Sequence, residues 1–566
     1  MTALPWKSLR WLSFLAIICC ASVIAGVIWS SGRGLELTDE AYYILSAIHP
    51  DQVQLYVSAQ HWMLAPLWAL TESLQGFRLI GATLLVSAST LLSLGAARCF
   101  AIYTGFAPTA LTLLGVVAAG GIGALLYVVT IAPSPSYNLL ASVGAYAAMG
   151  CALFALDRRQ IGASFALCCL AGAGLAICVL NKPAAGICVG LTILVLILYL
   201  QSDWRKWIMV GAGGMGTIST LGLFVLIQPS QLTVFESLSG GLELFRMVQT
   251  EPILARLIRY VATVAIATSK ALLLFLPVVI FTVVVMRNSR QWQAWGLLLT
   301  ALCTIIIGKH YLGGMTRYTS IAEAIYALLI IGIALGFNTW IRGRKTRLLF
   351  AGLLVLPFSI TIGTGNSLFT QVIVALAPWT IFAFLSCWMA NKSEAVRLAQ
   401  TGITAVLLIL IPVQVFSSFT REPYHLNAPL TAQSEDVFIP RLGALKVDLT
   451  TAQFLIQMNG AQSNCAIRPE AFFVGLFNVP GLALLLDATP PVTPWLNNSA
   501  QATTILSYWR PNSKTQVIVA LTSEAKKQPS TLPQDFQPSA VFSKFCGTVT
   551  FPFESKEVDI WLLRTP

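Results

Sequence analysis

Apolar runs of about twenty residues recur from residue 11 to residue 416, separated by short breaks rich in charge or turn formers. No other feature constrains this chain so tightly. A helix of that length matches the hydrocarbon thickness of a bilayer, and inside the bilayer only a helix or a closed barrel satisfies its own backbone. Of the 566 residues, 56% are hydrophobic and 10% charged, and the mean hydropathy is +0.75. No water-soluble core could hide so much apolar surface. The chain therefore reads as a polytopic α-helical membrane protein. Spans are expected near residues 11–29, 79–97, 109–131, 139–156, 161–180, 184–200, 208–228, 262–286, 293–308, 320–340, 348–362, 370–390 and 398–416, about thirteen transmembrane helices. Lys7 and Arg10 give the first run the flank of a signal peptide. Its length and the spans that follow mark it as an uncleaved first helix.

With the N-terminus taken as cytoplasmic, the connections RCFAIYTGF, DRRQ, QSDWRKW, RNSRQW, IRGRKTR and NKSEAVR all fall on the cytoplasmic side. Each is short and carries Lys or Arg, as the positive-inside rule requires. An odd number of spans then sends everything from Ser417 onward to the far face, the periplasm in a bacterium and a lumen in a eukaryote. The expected organisation is a membrane domain over residues 1–416, with a long outward loop at 30–78, and a small non-cytoplasmic soluble domain over 417–566. Within the loop, AYYILSAI and VSAQHWMLAPLWAL predict helices along the interface. In the tail, TQVIVALT and VDIWLLRTP read as strands and LTTAQFLIQMNG as a helix, which predicts a mixed α/β domain. FFVGLFNVPGLALLL, residues 472–486, is short and broken by Asn478, Pro480 and Gly481, and reads as a buried or interfacial segment. Cys465 and Cys546 are the two cysteines beyond the last span, and an oxidising compartment predicts that they pair. Cys19, Cys20, Cys168, Cys169, Cys178 and Cys188 lie within apolar runs without metal-ligand spacing and read as packing residues.

The net charge is +12, but the cations are scattered between apolar runs, which excludes a nucleic-acid-binding surface. Six of them breach the positive-inside rule: Lys182, Arg246, Arg256, Arg259, Lys309 and Arg317 fall in outward connections. An anion at the outer membrane surface explains them, and lipid phosphates are the anions available there. Headgroup snorkelling, or pairing with Glu236, Glu243 and Glu251, would also satisfy them. The stretch TDEAYYILSAIHP places Asp39 and Glu40 on the same face, directly after the first span. A carboxylate beside phosphate-binding cations fits one reaction, transfer of a sugar from a polyprenyl phosphate to an acceptor hydroxyl or amine. Asp39 would accept the acceptor's proton as it attacks the anomeric carbon with inversion, and the phosphate would leave as an anion held by Lys and Arg. Phosphate leaves without help from a second carboxylic acid, unlike the alcohol released by a glycosidase. Tyr42, Tyr43, His61, Tyr137, Asn138, His310, Tyr318 and Asn366 lie at outward helix ends or loops and are the candidate lining of a sugar pocket. As turn, cap and packing residues they have a structural reading too.

An acidic pair after the first transmembrane helix, followed by Tyr and an interfacial loop, resembles the GT-C superfamily of polyprenyl-linked glycosyltransferases. The protein O-mannosyltransferase and lipid A aminoarabinose transferase families belong to it. The resemblance implies a cytoplasmic N-terminus, many helices, a catalytic aspartate at Asp39 with Glu40 beside it in the motif, and a C-terminal outward domain. It also implies a polyprenyl-phosphate-linked sugar as donor and a lipid, glycan or protein as acceptor. The expected location is a bacterial inner membrane, in contact with membrane lipids. Some members carry acidic residues in the second outward loop, whereas IAPSPSYNLL has none. No cofactor is certain, and a divalent metal ion stays open: His61, His310, Glu236 and Glu243 are possible ligands whose spacing does not demand one. Another lipid-linked glycan enzyme, such as an O-antigen ligase or polymerase, is an alternative. A lipid or solute transporter is a second one, for which Lys270 and Glu323 are the ionisable residues within spans.

Overall fold

The computed structural model describes residues 4–129, 134–157, 160–228, 233–249, 251–284, 302–308, 318–340, 343–363, 365–389, 394–421, 423–469, 471–509, 516–527 and 542–563. Eleven helices open the chain: α1 Leu4–Ser30, α2 Asp39–Ile48, α3 Gln60–Ala69, α4 Leu74–Thr104, α5 Ala110–Leu125, α6 Tyr137–Asp157, α7 Ile161–Asn181, α8 Pro183–Leu200, α9 Arg205–Ile227, α10 Val234–Val248 and α11 Ile253–Val284. Helices Tyr318–Trp340, Arg344–Thr361, Leu368–Val372, Ala377–Ser386 and Glu394–Thr420 follow.

Among the described residues nine helices are long and apolar enough to cross a membrane, or ten if one bent pair is counted as a single span. The protein is an integral membrane protein. The expected figure of about thirteen is higher for local reasons. Helix Arg344–Thr361 begins with Arg344, Lys345 and Arg347, Leu368–Ala375 and Ala377–Ser386 meet at 71°, and most of 293–308 lies outside the described residues. Lys270 on α11 and Glu323 approach to 3.6 Å as an ion pair, so these two charges within apolar helices face each other.

The bundle closes through small residues, as expected where lipid gives helices no hydrophobic reason to associate. A Cβ on Gly95 of α4 would lie 2.6 Å from the carbonyl oxygen of Gly150 on α6, and one on Gly144 would lie 2.6 Å from that of Gly174 on α7. Alanine at either position would force the backbones apart.

Two short helices, α2 and α3, occupy the loop between α1 and α4 where interfacial helices were expected. Beyond the last long helix the chain forms a small α/β region. Strands β1 Glu435–Ile439 and β2 Gly443–Val447 make an antiparallel hairpin. Strands β3 Phe472–Leu476, β4 Val517–Thr522, β5 Phe542–Phe551 and β6 Lys556–Leu563 form a second sheet in the order β3-β4-β6-β5, parallel only between β3 and β4. Helix Leu449–Cys465 starts on an Asp448 cap, whose carboxylate accepts from the Thr451 N–H at 3.1 Å, and ends in a disulfide between Cys465 and Cys546 of β5.

This region is bound to the first loop in two places. The Gly34 N–H donates to the Lys446 carbonyl at 2.8 Å and the Lys446 N–H to Gly32 at 2.9 Å, so residues 32–34 extend the hairpin. Segment 472–486 forms β3 and helix Pro480–Leu485, largely buried. The Gly481 N–H donates to the Leu37 carbonyl at 3.0 Å. A Cβ on Gly481 would lie 2.6 Å from that same oxygen, two residues before Asp39.

The disulfide closes a separation of 81 residues, for which loop-closure entropy gives about 4 kcal/mol. Reduction, or Cys465→Ser, should lower the unfolding temperature of the C-terminal region in a reductant-dependent scan. A transition that does not move with reductant would count against the cross-link.

Candidate active site

The sequence ELTDE, residues 36–40, turns into α2 by an arrangement in which each acid has a different task. Thr38 occupies the N-cap position but its side chain makes no capping bond. Glu36 does that work from outside the helix: its carboxylate accepts the Thr38 N–H at 2.8 Å and the Glu40 N–H at 2.5 Å. Free N–H groups at a helix start attract a carboxylate, and Glu36, 2% exposed, satisfies two of them.

Glu40 is fully buried. Arg78, in the first turns of α4, grips it with both ends of its fork, Nε to Oε1 at 2.8 Å and Nη2 to Oε2 at 2.6 Å. The remaining guanidinium donors reach the carbonyls of Ser31, Arg33 and Gly34 at 2.8–3.0 Å. Ser134 Oγ, from the turn before α6, donates to Glu40 Oε1. A buried charge pair is stable only when its remaining hydrogen-bonding capacity is used, and here it is. Glu40, expected beside Asp39 in the catalytic motif, has its oxygens engaged by Arg78 and Ser134 and is not among the residues lining the pocket described below.

Asp39 points the other way, and among the described residues no lysine or arginine pairs with it. Tyr424 donates to its Oδ2 at 2.5 Å. His425 Nδ1 lies 4.0 Å from the same oxygen, 3.6 Å from Glu36 and 2.9 Å from Thr38 Oγ1. The imidazole is stacked on Tyr424 at 3.8 Å and packed against Phe553 at 4.4 Å. The Asp39 side chain remains 22% exposed. Burial, followed by the nearby Glu36 charge, pushes its carboxyl up to about 6, against the opposing pull of Tyr424 and His425.

Asp39 opens onto a pocket of ≈ 320 Å³ whose walls come from the first loop, α10 and the C-terminal region. Tyr42, Tyr43 and Tyr137, expected at a sugar pocket, all line it. Tyr56, Phe245, Gln249, Trp495, Asn497 and Gln501 line it as well, and the sequence reading had not singled them out.

The other candidates disperse. Lys182, between α7 and α8, is buried and donates to Asn138 Oδ1 at 2.9 Å, with Nζ 5.9 Å from the centre of the Tyr137 ring. Burial pulls its ammonium down to about 8. Arg256 and Arg259 share Glu251, at 3.4 and 2.8 Å. Arg246 is exposed in the last turn of α10. Asn366 is exposed and accepts from Tyr260 through its backbone at 3.5 Å. His61 is not a pocket residue: it is fully buried behind Tyr56, rings 4.7 Å apart, and burial pulls it down to about 3. Lys309, His310 and Arg317 lie outside the described residues, as does the side chain of Tyr318. Glu236 forms a capping box with Thr233 at the start of α10. Among the described residues no group of three or more His, Cys, Asp and Glu is arranged to hold a metal ion. With Glu36 and Glu40 engaged as above, the acids of ELTDE do not fit one.

No protein-family model matches this sequence, and no curated protein does. Solved structures do resemble the fold. An oligosaccharyltransferase of Archaeoglobus fulgidus, in complex with zinc and sulfate, is 11% identical with a TM-score of 0.47, over 94% of this chain and 71% of that one. ArnT of Cupriavidus metallidurans in the apo state is 13% identical with a TM-score of 0.40, over 96% of this chain and 97% of that one. The residues that the sequence reading passed over were partly within reach. Arg78 sits at the end of a span that is expected to face outward, the same breach that drew attention to Lys182, and Glu36 is a third acid three residues before Asp39. Tyr424, His425 and Trp495 carry no such signal, because only the folding of the tail onto the first loop gives them a place.

Arg78→Met would strand a buried carboxylate and should cost about 3–5 kcal/mol, seen as loss of monodisperse protein and a lowered melting temperature. Adding Glu40→Gln removes the stranded charge and should recover part of that loss. If the single variant melts like the wild type, the pair does not hold α2 in place.

Proposed function

We propose that this protein is a membrane glycosyltransferase that moves a sugar from a polyprenyl-phosphate donor to a lipid, glycan or protein acceptor, inverting the anomeric centre, with Asp39 as the base. The observation that carries the reading is the division of labour in ELTDE. Glu36 and Glu40 are spent on the backbone and on Arg78, while Asp39 faces a pocket with its carboxyl raised to about 6. Such a group is ionised at neutral pH and is a stronger base than an ordinary aspartate, close to the best match for proton transfer near pH 7. Tyr424 orients it through one oxygen and leaves the other for the acceptor's hydroxyl or amine. Glu40 contributes by fixing the first turn of α2.

For the leaving phosphate, Lys182 is the best supported of the described cations, held under Tyr137 at the pocket wall. Lys309 and Arg317 remain candidates from the sequence. Arg256 and Arg259 are half neutralised by Glu251 and serve the anion less directly. The reaction is assigned to the non-cytoplasmic face, with the N-terminus cytoplasmic and residues 417–566 as a periplasmic domain of a bacterial inner-membrane protein. The Cys465–Cys546 cross-link supports that side, since such bonds persist in oxidising compartments.

Asp39→Asn should lower turnover by at least about 10²-fold. The wild-type rate should fall tenfold per pH unit below about 6, where Asp39 is protonated. Stability should move the other way. The folded protein holds the Asp39 proton up to about pH 6 and an ordinary carboxyl only to 3.8, so the stabilisation present below the lower value is lost as pH rises through the higher one. At pH 7.5 Asp39→Asn should therefore melt no lower than wild type. Turnover assays with a defined polyprenyl-phosphate sugar, paired with melting curves, test both; near-normal turnover in the variant overturns the base assignment. Lys182→Ala should reduce turnover more than donor affinity, because charge on the leaving oxygen grows in the transition state. Unchanged kinetics would release Lys182 from the role.

A further inference from the structure

The pocket beside Asp39 differs in chemistry from what a phosphate needs. Among the described residues that line it, Asp39 is the sole formal charge; the rest are aromatic rings, aliphatic side chains, hydroxyls and the amides of Gln249, Asn497 and Gln501. Of these described lining residues, a phosphate placed there would meet a carboxylate and no cation.

The aromatic rings form a connected series. Trp495 packs on Tyr42 at 5.5 Å, Tyr42 on Tyr43 at 5.6 Å and Tyr43 on Tyr137 at 6.3 Å. Trp495 is held in place by its indole N–H, which donates to Asn478 Oδ1 at 2.7 Å, so its polar edge is engaged while the residue lines the pocket. Its segment has unusual backbone: Asn478 and Val492 adopt φ of 61° and 60°. For a β-branched valine that conformation is costly, and such cost is commonly found beside binding sites. Asn497 and Gln501 are fixed by each other and by the carbonyl of Leu244 on α10, at 2.9 and 3.1 Å, so the amide wall is rigid. Ser58, a lining residue, has a buried Oγ without a hydrogen-bond partner among the described residues. A buried hydroxyl left without a partner is costly, which makes it a place where a ligand's polar group gains.

Fixed rings for the C–H face of a pyranose, rigid amides and a vacant hydroxyl for its equatorial oxygens, and no cation, together describe a carbohydrate subsite. We infer that this pocket is the acceptor site and that it takes a neutral pyranose of a glycan, stacked on Trp495 with its attacking hydroxyl toward Asp39. This deepens the proposed function and rests on it for the word acceptor. It selects a glycan headgroup from among lipid, glycan and protein acceptors, and it makes the C-terminal region a source of specificity. The donor phosphate is left to the cations outside this lining.

Saturation-transfer NMR on the full chain in nanodiscs tests binding without turnover, using methyl glycosides of glucose, galactose, mannose and N-acetylglucosamine as probes. At least one should receive saturation on its ring C–H protons. Trp495→Ala should weaken that binding at least about tenfold, whereas Trp495→Phe, which keeps a ring, should retain most of it, and Asp39→Asn should bind as wild type does. Melting curves establish that each variant is folded. If Trp495→Ala does not fold, Ser58→Ala and Gln249→Ala, which remove polar contacts alone, should each reduce binding. The inference fails if no pyranoside binds, if binding survives loss of both the Trp495 ring and the polar contacts, or if inorganic phosphate displaces the sugar. Because Asp39→Asn leaves binding and removes turnover, failure of the subsite and failure of the base are separately visible.

Discussion

The ion pair between Glu40 and Arg78 is the fixture on which the rest of the candidate site depends. It joins the first turn of α2 to the first turns of α4, and through the other guanidinium donors it ties down the carbonyls of Ser31, Arg33 and Gly34. With that turn of backbone set, Glu36 caps the helix and Asp39 has one direction left to face. Two adjacent acids thus behave oppositely for a geometric reason: neighbours on a helix point about 100° apart, so one can enter the bundle while the other meets the pocket. The pairing also separates charges that would otherwise crowd. With Glu40 neutralised by a cation, the field raising Asp39's affinity for a proton comes from Glu36, and His425 lies within reach of both remaining acids.

Much of the scaffold was legible in the sequence because bilayer physics leaves few choices. Length and hydropathy located α6 to α9 to within about three residues and α1, α4 and α5 to within about seven, as well as the strands at 517–522 and 556–563. The buried reading of residues 472–486 followed from a run too short and too broken to span. The count of spans was less legible, since a helix that bends, or one that begins with three cations, does not announce whether it crosses.

The site was legible only where a residue breaks a rule in its own neighbourhood. Asp39 stands out as an acid after a span, and Tyr42, Tyr43 and Tyr137 as aromatics near it. Glu40 stands out equally, because nothing in one dimension tells a carboxylate that meets an arginine from one that meets a pocket. His61 is similar: a histidine in an aromatic stretch looks alike whether its ring is covered or open. Tyr424, His425 and Trp495 are hundreds of residues from Asp39 and reach it through tertiary folding alone.

That distance along the chain sets an order of events. The contact between Gly481 and Leu37, and the hydrogen bond from Tyr424 to Asp39, join the beginning of the polypeptide to its final quarter. During synthesis α1 and the acids that follow it emerge before the C-terminal region, and the pocket has no far wall until residues 493–505 have been delivered and folded. Asp39 is therefore made early and furnished late, so a nascent or truncated chain already inserted in the membrane still lacks an assembled site.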